Sequence, residues 1–376
     1  MILKFNINWD HIGVNAQISA FTPDGADSLQ GVQEMHVMLH VVPNGEMFVQ
    51  QYDRICQAQQ LLMQHPDFTG AVIIAKRYFL SDSTNQQPLM EETDGCVVSC
   101  IQQPPLDGSK VALWMYITRT PASHPESPYS HIWTMGMTDS CGDSAQQTTS
   151  LLTHYSDMLR SAGATLADNC IRTWFFVRDV DTQYSGMVRA RREFFADQGL
   201  THDTHYISST GIGGNPADTH SLVQFDALAI TGLQPSQQRY LYARTHLNST
   251  YEYGVTFERG TLVEYGDRGH IFISGTASID NQGKVLHTGD IVSQTHRMWE
   301  NVQTLLREGG MDFSNVVQLI VYLRDTADYD TVRRMFDEQF PDTPTVITLA
   351  PVCRPTWLIE MECMAIDGRH TSFPVL

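Results

Sequence analysis

Basic residues are scarce in this chain of 376 residues. It has 24 lysines and arginines against 42 aspartates and glutamates, which gives a formal net charge of −18. A surface of that charge repels the phosphate backbone of nucleic acids, and no Lys/Arg-rich run offsets it. We therefore expect no nucleic-acid partner. An anionic substrate would have to be held by arginines gathered locally.

Long hydrophobic runs are missing as well. No stretch approaches the roughly 18 consecutive apolar residues of a membrane span. The first ten residues lack the basic segment and apolar run of a secretion signal. The seven cysteines are few and odd in number, and Cys96 and Cys100 lie in apolar strand-like runs, as is typical of reduced thiols. These features predict a cytoplasmic protein without a membrane partner.

Recognisable cofactor motifs are also lacking. The pair His36 and His40 lies in an apolar run, and neither it nor the pair His202 and His205 has a convincing third metal ligand. No Ser/His/Asp arrangement or dinucleotide-binding fingerprint stands out. We therefore predict no metal and no organic cofactor.

What the chain does contain is an internal repeat. Residues 142–179 and 289–325 both begin with Gly-Asp, continue through Gln-Thr into an amphipathic helix, break at glycine and run as an apolar strand into Arg-Asp. Residues 45–82 form a weaker third copy. The repeat predicts three units: a degenerate unit at 1–120, a second unit at 121–235, and a C-terminal unit at 236–376 that carries the active site.

The last unit shows the clearest pattern of secondary structure. An apolar helical stripe of four residues ends at Gly309-Gly310, and Thr326 could cap a second helix. The predicted order is β-β-α-β-α-β-β, an α+β fold with helices on one face of a sheet. The stripe consists of Met298, Val302, Leu305 and Leu306.

This order and its landmarks resemble the Rid (YjgF/L-PSP) superfamily. The resemblance implies tandem modules, each with a chorismate-mutase-like β-sheet. Members form trimers with small-molecule sites in the clefts between subunits, so three units in one chain imply a monomeric pseudo-trimer, or else a homo-oligomer. The landmarks are Ile273-Ser274-Gly275-Thr276, Gly289-Asp290, Gln294-Thr295, Asn301, Pro344 and the runs 321–325 and 359–365.

The chain departs from the deaminating members at one position. Those members carry an arginine shortly after the proline that precedes the last strands, where it binds the substrate carboxylate. Here Pro344 and Thr345 are followed by Val346. Deamination of enamines or imines is therefore not expected, and the net charge argues against the endoribonuclease activity often attributed to this family.

A closer resemblance is to the chorismatase branch, whose chains are long and internally duplicated. It is carried by residues 209–214, 253–259 and 274–278, and by Cys353 seven residues before Glu360. Chorismatases release pyruvate from the dicarboxylate chorismate and leave a dihydroxycyclohexadiene carboxylate or a hydroxybenzoate. The resemblance implies the same class of reaction here.

Glu360 is the first candidate for catalysis. In an alternating strand it shares one face with Glu362, and the second unit has Gln224 where the third has Glu360. A partly buried carboxyl group could protonate the enolpyruvyl methylene of chorismate. The alternative is a solvated strand face. Cys353 is a second catalytic candidate and resembles the subgroup that releases 3-hydroxybenzoate, although a cysteine is more often a small core residue.

Arginines are the natural ligands of the two substrate carboxylates. Arg259 is expected on a strand of the last unit, with Arg244 and Arg354 as further candidates. The alternative for each is a surface ion pair. The Gly-rich run 209–214 lacks the lysine of a phosphate loop, so we interpret it as a loop that brings backbone N–H groups to a carboxylate, or as a plain tight turn. The substrate-binding candidates from glycine-rich segments are Thr210, Gly211, Gly213, Gly275 and Thr276.

Two functions follow from these candidates. The first is a chorismatase-like lyase or hydrolase with Glu360 as general acid. The second is a non-catalytic Rid-like protein that binds a small metabolite as a sensor. The enzyme needs the acid, whereas the sensor needs only the arginines.

Overall fold

In the part of the chain that the structure describes, sixteen strands form three sheets with helices on their outer faces. A computed structural model describes residues 1–23, 32–92, 94–119 and 127–376. The same strand order, with strands that are neighbours in the sheet but not in the chain, recurs in the three sheets. The α+β class predicted from the sequence is confirmed. Where the three sequence units begin and end stays a prediction.

The first sheet has six strands in the order β1-β2-β3-β6-β4-β5. Only β4 and β5 pair in parallel. The long helix α1 lies between β3 and β4 in the chain and packs its apolar side against the sheet. The elements are β1 (Ile2–Trp9), β2 (Val14–Phe21), β3 (Glu34–Val41), α1 (Phe48–Gln64), β4 (Val72–Leu80), α2 (Ser83–Gln86), β5 (Val97–Gln102) and β6 (Val111–Thr118).

The second sheet has four strands in the order β7-β10-β8-β9, with two long helices on one face. This is the arrangement of the first sheet without its first two strands. The elements are β7 (Ser130–Thr138), α3 (Ser144–Ser161), α4 (Leu166–Asn169), β8 (Cys170–Val177), α5 (Val180–Asp197), β9 (Ser208–Gly213) and β10 (Val223–Thr231).

The third sheet has the order β11-β12-β13-β16-β14-β15, which reproduces the first sheet strand for strand. The predicted series β-β-α-β-α-β-β is confirmed, and the edge strand β11 precedes it. The elements are β11 (Gln238–Leu241), β12 (Gly260–Glu264), β13 (Arg268–Ala277), α6 (Ile291–Glu308), β14 (Val316–Leu323), α7 (Tyr329–Gln339), β15 (Thr345–Leu349) and β16 (Ile359–Gly368).

Local sequence explains where the helices of this unit begin and end. The carboxylate of Asp290 accepts a hydrogen bond from Ser293 N at 3.0 Å and caps α6, whose predicted apolar stripe is wholly buried. Gly310, at φ +82°, ends the helix in the left-handed region. The prediction that Thr326 caps the next helix is wrong. Asp325 caps a 3-10 turn that begins at Thr326, because its carboxylate accepts a hydrogen bond from Ala327 N at 2.8 Å, and α7 follows at Tyr329.

The inner faces of the three sheets share one core, so a single chain forms a pseudo-trimer. Trp114 of the first sheet, Trp133 and Trp174 of the second, and Phe272 of the third all belong to it. The rings of Trp114 and Trp133 lie 6.0 Å apart across the first junction. The sheets meet where β5 contacts β7 and where β9 contacts β13. A cleft opens beside each of these two junctions.

Two further features agree with the composition. All seven cysteines are free thiols. None of the helices in the described ranges is both long and apolar enough to cross a membrane.

Candidate active site

A cavity of about 210 Å³ lies where β9 of the second sheet meets β13 of the third. Backbone and side-chain hydrogen bonds fix this junction. Ser209 N donates to Ser274 Oγ at 2.9 Å, and Gly275 N donates to Thr210 Oγ1 at 2.9 Å. Both sheets contribute lining residues, which are Tyr184, Arg191, Ser209, Gly211, Val255, Phe257, Arg259, Gly275, Ala277, Ile279, Cys353, Arg354, Trp357 and Glu360.

Glu360 projects into this cavity from β16, beside Ala277 of β13. Its side chain is not part of a solvated strand face, since the residue is only 5% exposed. Burial and, to a lesser extent, the neighbouring charge of Glu362 together raise the pKa of Glu360 to about 8, against the opposing charges of Arg172 and Arg259. At neutral pH the carboxyl group is therefore largely protonated and can donate a proton.

Glu362 lies one pleat further along β16 and has a different environment. It accepts hydrogen bonds from Arg172 Nη2 at 2.8 Å, from Trp174 Nε1 at 2.7 Å and from the hydroxyl of Thr210. All of these donors come from the second sheet. These donors hold the carboxylate in place, and its charge is one of the causes that raise the pKa of Glu360.

Two of the three predicted arginines line the cavity. Arg259 immediately precedes β12 rather than lying within a strand, because the chain bends there before it enters the sheet. It donates to Asn248 Oδ1 at 3.2 Å and is 4% exposed. The guanidinium of Arg354 lies 4.7 Å from the ring centroid of Trp357.

Arg244 does not line the cavity. It belongs to a smaller adjoining pocket that also includes Arg259, and its guanidinium stacks over Tyr242 at 4.7 Å. Its other partner is the hydroxyl of Ser249. These contacts direct Arg244 away from Glu360.

A third cavity arginine, Arg191, was missed by sequence reasoning. It lies on α5, is 1% exposed and donates to Ser209 Oγ at 3.3 Å. Tyr184 lines the cavity from the same helix. The available signal was the spacing of Tyr184, Met187 and Arg191, which places all three on one helical face. The sequence pattern could not show that this face meets the next unit.

Cys353 lines the cavity close to Glu360 and Tyr184. Burial raises the pKa of its thiol to about 12, the charge of Glu360 adds to the effect, and a hydrogen bond with Tyr184 opposes it. The thiol is therefore protonated at neutral pH. It can fill space and form weak hydrogen bonds, but it is not an activated nucleophile.

The sequence suggested that the run 209–214 is a loop or a tight turn, but the structure shows a strand. Its first five residues belong to β9, which pairs in parallel with β8. The glycines are needed for space rather than for a turn. A Cβ at Gly211 would lie 2.9 Å from the Tyr184 ring, and one at Gly213 would lie 2.8 Å from Pro351. Gly213 therefore packs away from the cavity.

Three other candidates have separate outcomes. Gly275 does line the cavity, and a Cβ there would lie 2.1 Å from Glu360 Oε1, so only glycine leaves room for the acid. Thr210 is not a lining residue, because its hydroxyl is used by Glu362 and Gly275 N. Thr276 is not one either, since its hydroxyl donates to Ser274 O of its own strand at 2.9 Å.

The histidine pairs do not form a metal centre in the described ranges, where no three His, Cys, Asp or Glu side chains converge. His36 is buried in the shared core beside Tyr116, with ring centroids 5.2 Å apart. His40 faces Asp107 at 3.4 Å. The ring of His205 stacks on Tyr240 at 4.7 Å.

Some known proteins match only the C-terminal part of the chain, and others match a longer part of it. The family model described as Endoribonuclease L-PSP matches residues 262–367. A RutC family protein of Pyrococcus abyssi is 34% identical over 97 residues, which are 25% of this chain and 76% of the relative. The family-model match begins within β12 and runs through β13, α6, β14, α7 and β15 into β16.

A longer match extends into the second sheet. A chorismatase of Streptomyces hygroscopicus is 28% identical over 244 residues, 60% of this chain and 69% of the relative. A crystal structure of chorismatase superposes with a TM-score of 0.63 and 21% identity, covering 80% of this chain and 96% of that one. At that identity the structural likeness shows the fold alone.

Proposed function

Since the chain belongs to the Rid (L-PSP) superfamily and is similar over most of its length to the chorismatase branch, we propose that it is an enzyme that releases pyruvate from chorismate. The observation that carries the proposal is Glu360, a buried acid with a pKa near 8 in a cavity that also holds three arginines. A carboxyl group poised near neutral pH is suited to general-acid catalysis.

The arginines supply the binding site for a dicarboxylate. Arg191, Arg259 and Arg354 approach the cavity from both sheets, whereas Glu360 is its one lining carboxyl group among the described residues. The cavity therefore attracts anions although the whole chain carries a charge of −18. Chorismate needs two such contacts, one for the ring carboxylate and one for the enolpyruvyl carboxylate.

The reaction begins with proton transfer from Glu360 to the methylene carbon of the enolpyruvyl group. The C=C electron pair forms the new C–H bond, and the adjacent carbon becomes an oxocarbenium centre. The carboxylate left on Glu360 stabilises that positive charge. Glu362, held by Arg172 and Trp174, supports this step because its fixed negative charge favours the protonated form of Glu360 before the reaction.

Two outcomes are possible after protonation. If water reaches the cation, one water is consumed, and the products are pyruvate and a dihydroxycyclohexadiene carboxylate. If water is excluded, the C4 hydroxyl takes its place: its oxygen bonds to C3 as the C3–O ether bond breaks, pyruvate leaves with the ether oxygen as its keto oxygen, and the hydroxyl proton returns to Glu360. The resulting epoxide opens at C4 and shifts hydrogen to aromatise as 3-hydroxybenzoate, so that pyruvate and hydroxybenzoate together account for all atoms of chorismate. Cys353, Val255, Phe257 and Trp357 make much of the wall apolar. We propose that this wall limits water and favours 3-hydroxybenzoate.

The direct test is a pyruvate assay with chorismate. We expect the wild type to release pyruvate and Glu360→Gln to lose activity by about 10²-fold or more, the usual range for a general acid. The substitution is nearly isosteric and copies Gln224. Glu193→Gln is a matched control, because Glu193 is exposed on the helix that carries Arg191. It should retain full activity.

The sensor alternative has a different outcome in the same experiment. A sensor would bind chorismate in a calorimetric titration without releasing pyruvate. Wild-type turnover by Glu360→Gln would show instead that another group supplies the proton.

A further inference from the structure

Arg77, on β4 of the first sheet, contacts acidic groups of both other sheets. Its Nη2 and Nε donate to Asp226 Oδ2 on β10 at 2.8 and 3.2 Å, and its Nη1 lies 4.0 Å from Glu362 Oε1 on β16. The residue is 1% exposed. The first sheet thus places a buried positive charge beside the carboxylate that neighbours Glu360, although the cavity between the second and third sheets has no lining residue from the first sheet among those described.

Arg77 also contacts a side chain that holds Glu362. Its guanidinium lies 4.7 Å from the centroid of the Trp174 ring, whose Nε1 donates to Glu362 Oε1 at 2.7 Å. The guanidinium of Arg172 lies 4.6 Å from the same centroid, and its Nη2 donates to Glu362 Oε2 at 2.8 Å. Two guanidinium groups and one indole therefore fix the position of the Glu362 carboxylate.

Asp226 determines how much of the Arg77 charge acts on Glu362. It is fully buried, and its Oδ1 accepts a hydrogen bond from Gly136 N at 2.7 Å. Because Arg77 lies nearer to Asp226 than to Glu362, the two carboxylates share its charge unequally. Loss of the Asp226 charge would leave the charge of Arg77 to Glu362, whereas loss of Arg77 would remove that charge altogether.

This arrangement connects the two clefts of the molecule. Asp226 follows Gln224 by two residues on β10, and Gln224 lines the cleft between the first and second sheets. We call this the second cleft; it is also lined by Val98 and Gly136. Arg77 therefore lies between the central strand of the second cleft and the central strand of the active cleft.

We propose that Arg77 is a positioning residue of the active cleft, which holds Glu362 beside Glu360 from the first sheet and shares its charge between Glu362 and Asp226. The inference rests on the proposed role of Glu360 as general acid. It gives the degenerate first unit a part in the chemistry of a cavity that the other two sheets enclose.

The pKa of Glu360 reports this arrangement. Burial and the charge of Glu362 raise that pKa, whereas Arg172 and Arg259 lower it. Because Glu362 acts through its negative charge, a change in the positive charge beside Glu362 moves the pKa of Glu360 in a direction that can be stated in advance. The other charged and titratable groups around the two acids stay unaltered in the test; they are Arg172 on β8, Tyr184 and Arg191 on α5, Arg259 before β12, Tyr322 on β14, Cys353 and Arg354 before β16, and Cys363 on β16.

Two substitutions with opposite effects test the proposal. Arg77→Met removes the positive charge and keeps an apolar side chain beside Trp174, so the pKa of Glu360 should rise. Asp226→Asn keeps an acceptor for Gly136 N and leaves the charge of Arg77 to Glu362, so the pKa should fall. We expect shifts of roughly half a pH unit or more in each direction, and a value near that of the wild type when the two substitutions are combined.

The measurement compares each variant with the same variant that also carries Glu360→Gln. The pH dependence of the difference in their free energies of unfolding reports the pKa of Glu360 in the folded protein, and a general loss of stability cancels in that difference. The pH profile of kcat/KM for chorismate should move in the same direction. Arg54→Met is the matched control, because it breaks an ion pair with Glu46 beside the outer helix α1 of the same sheet, and it should leave the pKa unchanged.

Shifts of the same sign in Arg77→Met and Asp226→Asn, or shifts no larger than that of Arg54→Met, would overturn the proposal. An arginine with a purely structural role would lower stability without moving the pKa of Glu360. Each substitution tests its own sign, so Asp226→Asn is decisive if Arg77→Met does not fold. Opposite shifts in a protein that releases no pyruvate from chorismate would contradict the proposed function and support the role of Arg77, whereas pyruvate release without the shifts would contradict the role of Arg77 alone.

Discussion

The two open clefts share a framework and differ in chemistry. In each, a buried carboxylate on the central strand pairs with an arginine of the preceding sheet, Glu362 with Arg172 and Asp226 with Arg77. Only one cleft adds an acid two residues before that carboxylate, since the other has Gln224. We therefore infer that the buried ion pair holds the sheets together, whereas Glu360 and the cavity arginines serve catalysis and substrate binding.

The largest expected effect comes from breaking the shared framework. Glu362→Gln removes the ion-pair partner of Arg172, and Asp226→Asn removes the nearer carboxylate of Arg77, whose Nη1 also lies 4.0 Å from Glu362 Oε1. Loss of one partner of a buried ion pair costs about 3–5 kcal/mol. We expect similar losses in the free energy of unfolding for both, measured by urea denaturation. A loss below about 1 kcal/mol in either would show that its ion pair is not a structural element of the junction.

A smaller effect should distinguish the arginines of the active cleft. Arg259→Ala should weaken chorismate binding by about 1.5–3 kcal/mol, because a hydrogen bond to a charged group is lost. Arg244→Ala is the matched control, since Arg244 lies outside the cavity, and it should change affinity much less. Calorimetric titration of Glu360→Gln carrying either substitution checks this without turnover. Equal effects would mean that Arg259 acts only through the overall charge.

The raised pKa of Glu360 predicts the direction in which the free energy of unfolding changes with pH. Its carboxyl pKa is raised from 4.5 to about 8, so the folded protein binds a proton more tightly than the unfolded chain. The resulting stabilisation is complete below pH 4.5 and is lost as pH rises towards 8. Glu360→Gln should thus gain stability over the wild type, by up to about 1.4 kcal/mol per pH unit in this window. Parallel pH profiles of the two proteins would contradict the raised pKa.

The reciprocal substitution sharpens the same comparison. Gln224→Glu places an acid at the corresponding buried position, and the variant should lose stability relative to the wild type as pH rises above the ordinary glutamate range. The loss should vanish at low pH, where the new carboxyl group is protonated. Denaturation at pH 5 and pH 8 measures the difference. A loss of equal size at both values would indicate a packing defect instead of a charge effect.

The smallest effect is expected on assembly. Because three sheets already share one core within the chain, light scattering should give a mass near 42.4 kDa, and none of the cleft variants should change it. A stable mass three times larger would show that the chain also uses an intermolecular trimer.

The features that could be predicted from the sequence are those that depend on residues close to one another in the chain. Strand alternation placed Glu360 and Glu362 on one face, and the self-similarity of the chain revealed the repeated helix and strand order. The resemblance added Arg259, Cys353 and Gly275. It could not find Arg191, Tyr184 or Arg172, because these lie in the second unit and reach the site only through the packing of one sheet on another. The strand β9 was misread because its glycines suggested a turn, whereas tight packing required them.

The central claim is that the chemistry resides in the cleft between the second and third sheets. A crystal structure of Glu360→Gln soaked with chorismate tests it most directly. We expect electron density for one intact chorismate in the cavity beside Gly275, with its carboxylates on Arg259 and Arg191 or Arg354, and none beside Gln224. Chorismate bound only in the second cleft, or absent from both at saturating concentration, would contradict the account.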